Sequence, residues 1–181
     1  MQQLSFDSMQ IDHAAKQFRR RRTPGVSSEI KVVCLRECPA PRLVDTPERA
    51  RDYWIEHVAT APHYDPMKEQ LVVLALSTRR TILCHNLVAL GTLDTIHVTP
   101  REIFRPLVAV AAAAFIIMHN HPSGDPTPSE ADIKVTRDFI RAGQLMKIDL
   151  LDHVIVGATS HAISSAPWKY SSLRELGYFY S

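Results

Sequence analysis

Residues 115–133 read FIIMHNHPSGDPTPSEADI. The first four, Phe-Ile-Ile-Met, have the composition and length of a short buried strand. They run straight into His119-Asn120-His121 and then Pro122, Gly124, Pro126 and Pro128. Prolines and a glycine at that density predict neither helix nor central strand over residues 119–128. Ser129 then has the character of a helix N-cap, with Asp132 three residues on. The helix is predicted to run to about Gly143, with Ile133, Thr136, Phe139 and Ile140 forming its apolar face. A buried strand, a tight polar turn and a capped amphipathic helix are the parts of an α/β unit.

The same alternation extends on both sides. Upstream, residues 71–76 (LVVLAL) form a continuous apolar run of strand length. Thr78-Arg79-Arg80 reads as a turn, and residues 81–90 as a return strand ended by Gly91. A further short strand is expected at residues 96–98. Thr99-Pro100-Arg101-Glu102 carries a Thr cap, a Pro at the first helical position and a Glu three after the cap. That helix is expected over residues 100–112. Thr46-Pro47 opens an earlier helix, with Ala50, Tyr53, Trp54, His57 and Val58 at helical spacing, ending near Pro62. Residues 29–35 hold Ile30, Val32, Val33 and Leu35, a plausible first strand. Downstream, residues 150–156 (LLDHVIV) read as a strand, and Trp168, Leu173, Leu176 and Phe179 are apolar enough to dock. The fold expected is α/β, a mixed β-sheet with flanking helices. Residues 1–45 form an N-terminal arm with a first strand, and residues 46–181 the domain proper.

With 181 residues, 45% apolar and 22% charged, the chain matches one globular domain rather than a disordered one. Net charge is +2, and its surplus sits in the first thirty residues, where five basic residues face three acidic ones. Arg19, Arg20, Arg21 and Arg22 are consecutive there. They read as a solvated turn or as a phosphate-binding arm for DNA. Cys34, Cys38 and Cys84 are an odd set at irregular spacing, which suits a reducing compartment and argues against a disulfide framework. The start lacks a basic segment followed by an apolar one. The longest apolar run, twelve residues from Leu107, is short of the ~20 a bilayer needs. A soluble cytoplasmic protein without a membrane partner is expected.

His119 and His121 are two apart at a strand end, so both rings point to one side. Two imidazoles on one side can share a metal. Asp132 is the natural third ligand, since the turn returns and the helix's first turn carries it. Three N, N, O ligands with a fourth position for water form the pattern of a catalytic zinc site, and this donor set suits Zn2+ better than Mg2+ or Ca2+. Hydrolysis also needs a base, for which Glu69 and Glu102 stand at element ends. Ser129 lies near Asp132 and can help stabilise an oxyanion. Singly, each piece has a structural reading: a Ser that caps, an Asp that complements the helix dipole. His13, His57, His63, His85, His97 and His161 lack ligand spacing. Asp125 reads as a turn former. Asp152-His153 reads either as a pair that orients a ligand or as a structural hydrogen-bonding pair. Trp54, Trp168 and Cys84 read as packing residues.

The string His-x-His, seven residues, Ser, two residues, Asp is met by His119, His121, Ser129 and Asp132, and it resembles the JAMM (MPN+) zinc-hydrolase motif. The longer HNHPSGDPTPSEADI resembles the RadC branch of that superfamily, as do Gly91-Thr92-Leu93, Pro100-Arg101-Glu102-Ile103-Phe104 and Leu151-Asp152-His153-Val154-Ile155-Val156-Gly157. The resemblance covers roughly residues 46–178. It implies a cytidine-deaminase-like JAB/MPN fold and a zinc-activated water. It makes His119, His121 and Asp132 the ligands and Ser129 the oxyanion support. The family's base is a Glu ahead of a core strand. Glu69 matches that residue, with Gln70 and Leu71 in place of the family's neighbours. Glu102 is explained by its cap. The motif implies peptide or isopeptide hydrolysis, with a peptide or protein as substrate. The RadC name carries a DNA-repair association, which makes a DNA-associated accessory protein the alternative. Longer members resemble a fusion to a DNA-binding module, for which about forty-five residues are too few. A zinc deaminase would need C-x-x-C, which is absent from the sequence.

Overall fold

The computed structural model describes residues 42–91, 98–157 and 168–180. The arginine run at 19–22, the expected strand at 29–35, Cys34 and Cys38 lie outside the described residues. Most of the short strand expected at 96–98 does too, and Val98 itself is not in a strand.

Helix α1 (Pro47–Tyr53) starts where Thr46 caps it, the hydroxyl accepting from the Arg49 N–H at 3.3 Å. It continues as a π-helical turn over Trp54–Val58. Strands β1 (Glu69–Leu76) and β2 (Ile82–Gly91) follow as an antiparallel hairpin. Helix α2 (Pro100–Ala109) leads into β3 (Ala114–His121). Helix α3 (Glu130–Met146), β4 (Asp149–Gly157) and the short β5 (Tyr170–Ser172) complete the fold. The sheet order is β2-β1-β3-β4-β5. β3 and β4 run parallel, joined by the α3 crossover, and the other pairs are antiparallel. This is the mixed α/β sheet expected.

Both faces of the sheet are covered, which is why β1 and β3 read as unbroken apolar runs. On one face Ala50, Tyr53, Trp54 and Val58 pack on Val72, Leu74, Leu76, Ile116, Met118, Val154 and Val156. Val44, just ahead of the expected boundary at 46, is buried among them, and Leu43 bridges to Thr81. On the other face Ile103, Phe104 and Leu107 of α2 and Phe139 of α3 pack on Leu71, Val73, Phe115 and Ile117. Cys84 joins this face half-buried, as a packing residue. In the tail Leu173 is fully buried and Phe179 packs beside it, whereas Leu176 stays exposed.

The helix expected over residues 100–112 ends at Ala109, because Ala111 adopts a left-handed conformation. The boundaries of β3 and α3 also differ from the sequence expectation. β3 does not stop at Met118 but runs through His121, because Leu71 and residues 155–157 of β4 supply a ladder for it. The break falls at Pro122. Helix α3 passes Gly143 and ends at Met146, with Lys147 in the left-handed conformation. Gly143 is there for close approach: a Cβ would sit 2.6 Å from the Ile148 carbonyl oxygen.

Candidate metal centre

The alternation of β-strands puts Glu69, Leu71 and Val73 of β1 on the α3 face, together with Phe115, Ile117, His119 and His121 of β3. His119 lies directly opposite Leu71, so Glu69 stands beside the two imidazoles at the same end of the sheet. Asp132 comes to them from the first turn of α3. One ligand atom from each of Glu69, His119, His121 and Asp132 lies within 4.8 Å of all the others.

The capping box aims Asp132. Its Oδ2 accepts from the Ser129 N–H at 2.8 Å and from the Ser129 hydroxyl at 2.6 Å. Oδ1 is left 3.3 Å from His119 Nε2, and Oδ2 lies 3.5 Å from His121 Nε2. The two imidazole Nε2 atoms are 3.0 Å apart. Ligand atoms on one tetrahedral zinc, with bonds of about 2.0–2.1 Å, stand about 3.3 Å from one another. The His119 Nε2 separations from Asp132 Oδ1 and from His121 Nε2 are close to that edge length, so the residues present fit the ion. The chemistry of the donors agrees. His121 Nδ1 meets the Asp125 backbone carbonyl at 2.8 Å. A carbonyl only accepts, so Nδ1 carries the proton and the lone pair of the neutral ring lies on Nε2, facing the cluster.

The turn that supplies this carbonyl is packed against the end of β4. Gly157, in register with His121, has no room for a side chain: a Cβ would lie 2.3 Å from the Gly124 carbonyl oxygen. The Asp125 side chain stays out of the cluster and holds Thr127 through its N–H and hydroxyl. It is the turn former expected.

The electrostatics divide the cluster. Burial, and then the Asp132 charge, push the Glu69 carboxyl up from its ordinary value. Burial works against the Asp132 charge too. There the His121 hydrogen bond, the His119 ring and the Ser129 donors outweigh it, and Asp132 is held well below the carboxylate range. Burial keeps His119 neutral far below its ordinary value. For His121, burial is outweighed by Asp132 and by the Asp125 carbonyl, and its pKa rises.

Glu69 Oε1 lies 3.7 Å from His119 Nε2, beside the three closer groups rather than among them. Glu102 does not join the cluster. Its carboxylate accepts from the Thr99 N–H at 2.6 Å at the exposed start of α2. Ser129 is present, with its proton committed to Asp132 Oδ2. Two further residues touch the site. His153 Nε2 lies 2.8 Å from His119 Nδ1, and Thr136 Oγ1 lies 2.6 Å from His153 Nδ1. The sequence leaves the role of His153 open and presents Thr136 only as part of an apolar face. The available signal was the position of Thr136, one helical turn after Asp132.

A family model described as the RadC-like JAB domain matches residues 44–171. The chain belongs to the RadC-like JAB-domain family. It is 36% identical over 136 residues to a UPF0758 protein of Staphylococcus carnosus, covering 75% of this chain and 54% of that protein. A UPF0758 protein of Bacillus cereus is 38% identical over 135 residues, covering 75% and 54%. One from Chlorobaculum tepidum is 50% identical over 93 residues, covering 51% and 42%. The chain spans about half the length of the curated relatives it matches. The RadC-like domain thus carries its four-residue cluster at the carboxyl end of β3, ahead of the α3 crossover. No helix among the described residues is long and apolar enough to cross a membrane.

Proposed function

We propose that this RadC-like domain is a zinc-dependent hydrolase of the JAMM type, acting on peptide or isopeptide bonds of a peptide or protein substrate. The observation that carries the reading is the convergence of His119, His121 and Asp132, with Glu69 beside them, each offering a ligand atom within 4.8 Å of the others. In it, His119 Nε2, His121 Nε2 and Asp132 hold the metal. Zinc in such a site polarises a carbonyl and brings the pKa of water to about 7. Glu69 takes the proton of the attacking water on a carboxylate oxygen and returns it to the leaving nitrogen. Its carboxyl is half-buried beside the cluster, within reach of both the attacking water and the leaving nitrogen, so one group can serve as both base and acid. Ser129 donates to the developing oxyanion, which requires its hydroxyl to swing from Asp132 Oδ2 as substrate enters.

Metal analysis combined with a screen of fluorogenic peptide and isopeptide substrates tests this. Wild type is expected to hold one zinc per chain, and His119→Ala and Asp132→Ala to lose it. Glu69→Gln is expected to keep zinc while turnover falls by about 10²–10⁴-fold. Equal zinc in wild type and both ligand variants refutes the site. Full turnover by Glu69→Gln refutes the base.

A further inference from the structure

His153 is fully buried in the middle of β4, and so is Thr136 on α3. A register irregularity brings His153 to the site. β4 carries one extra residue between the partners of Phe115 and Ile116, so Asp152 pairs with Ile116 and His153 with Ile117. Beyond that bulge the side-chain alternation is shifted by one, which turns His153 to the α3 face that carries His119.

The proton on each nitrogen follows from the far end of the hydrogen-bond chain. The Thr136 hydroxyl donates to the Asp132 backbone carbonyl at 2.5 Å. With its only proton used there, Thr136 Oγ1 accepts from His153 Nδ1–H at 2.6 Å. The neutral His153 ring then has its lone pair on Nε2, which accepts from His119 Nδ1–H at 2.8 Å. His119 Nε2 is left with a lone pair directed at Asp132 and His121. The chain leaves one ligand through its ring and ends on the backbone of another.

We infer that His153 is a positioning residue, which with Thr136 locks His119 into the Nδ1–H tautomer and fixes its ring plane so that Nε2 can bind the metal. This rests on the zinc reading above. Without the lock, His119 can adopt the Nε2–H tautomer that free imidazole side chains prefer, which points a proton at the site. Outer hydrogen-bond partners of this kind are worth about 10–100-fold in metal affinity.

The test uses the full chain and zinc itself. Zinc affinity is measured by competition with a chromophoric chelator, for wild type, His153→Leu, His153→Gln, Thr136→Val and Thr136→Ser. Two-bond 1H–15N spectra of the metal-free proteins report the His119 tautomer. The expected result is a 10–100-fold loss of affinity in His153→Leu and a loss in Thr136→Val, with a His119 proton no longer confined to Nδ1. Gln at 153 offers the same acceptor and donor, and Ser at 136 the same hydroxyl, so these two should recover most of the loss. Zinc binding within twofold of wild type in both His153→Leu and Thr136→Val overturns the inference, whatever their thermal midpoints. So does a wild-type His119 protonated on Nε2. The Thr136 pair decides alone if His153→Leu fails to fold. Wild type that binds no stoichiometric zinc overturns the hydrolase reading, and with it the purpose of the lock.

Discussion

Gly157→Ala places one methyl group where the structure leaves no space. The added Cβ would lie 2.3 Å from the Gly124 carbonyl oxygen and 3.0 Å from its carbon. An ordinary carbon–oxygen contact is about 3.3–3.6 Å. The turn after His121 must therefore retreat by about 1 Å, at a cost of about 1–3 kcal/mol typical of overpacking. Asp125 follows Gly124, and its carbonyl holds His121 Nδ1 at 2.8 Å. Such a retreat takes that contact past the hydrogen-bonding limit of about 3.2 Å. His121 then loses the group that keeps its lone pair on Nε2. Zinc affinity is expected to fall about 10–100-fold. Gly143→Ala is the matched control, since its Cβ would lie 2.6 Å from the Ile148 carbonyl oxygen, eleven residues along α3 from Asp132. Urea denaturation of the metal-free proteins should show both variants destabilised. Zinc competition should show only Gly157→Ala weakened. If Gly157→Ala is destabilised yet binds zinc as wild type does, or if Gly143→Ala weakens zinc equally, the link from Gly157 through Asp125 to His121 is wrong.

Two further outcomes follow from buried groups outside the cluster. Asp152 accepts from Ser172 Oγ, the His153 N–H and the Arg174 N–H, but burial dominates and raises its pKa above the ordinary 3.8. The folded chain thus holds that proton more tightly than the unfolded chain. Asp152 therefore costs stability as pH rises from 3.8 through its raised value. Measured by denaturation across acidic pH, wild-type stability minus that of Asp152→Asn should fall over this window and level off above it. A difference that is flat or rises with pH refutes the assignment. Phe139 is fully buried between α3 and the sheet, so Phe139→Ala should cost about 3–5 kcal/mol in urea denaturation. A loss under 1 kcal/mol would mean that α3 is not seated as described.

The features legible in the sequence were those set by near neighbours. Thr46, Thr99 and Ser129 each start a helix where a cap was expected, because a capping bond joins residues three apart. The spacing of His119 and His121 on one strand, and of Ser129 and Asp132 on one helix, is equally local. What was missed depends on pairing across the sheet. Proline density predicted a strand ending at Met118, but β4 and β1 hold the chain extended to His121. No local pattern reports that support. Glu69 is fifty residues from His119 in sequence, and only the β1–β3 register brings them together, so the family resemblance points to it where no local pattern does. The role of His153 stayed open for the same reason. Its direction depends on a single extra residue in β4, which no periodicity within residues 150–156 reveals.

In the Ser129–Asp132 pair the structural role and the functional role are compatible, because each uses a different oxygen of one carboxylate. Read as a cap, Asp132 needs one oxygen for the Ser129 N–H and hydroxyl, and Oδ2 supplies it. Read as a ligand, it needs an oxygen aimed at His119, and Oδ1 supplies that at 3.3 Å. A carboxylate has lone pairs for both, and holding Oδ2 at the helix start is what directs Oδ1. Burial would otherwise favour the neutral acid. The capping donors are among the groups that keep Asp132 ionised, the state in which it can bind a cation. The helix signal and the site signal in residues 129–132 are therefore one set of bonds serving two purposes, and a substitution that spares the helix cap spares the orientation of the Asp132 carboxylate with it.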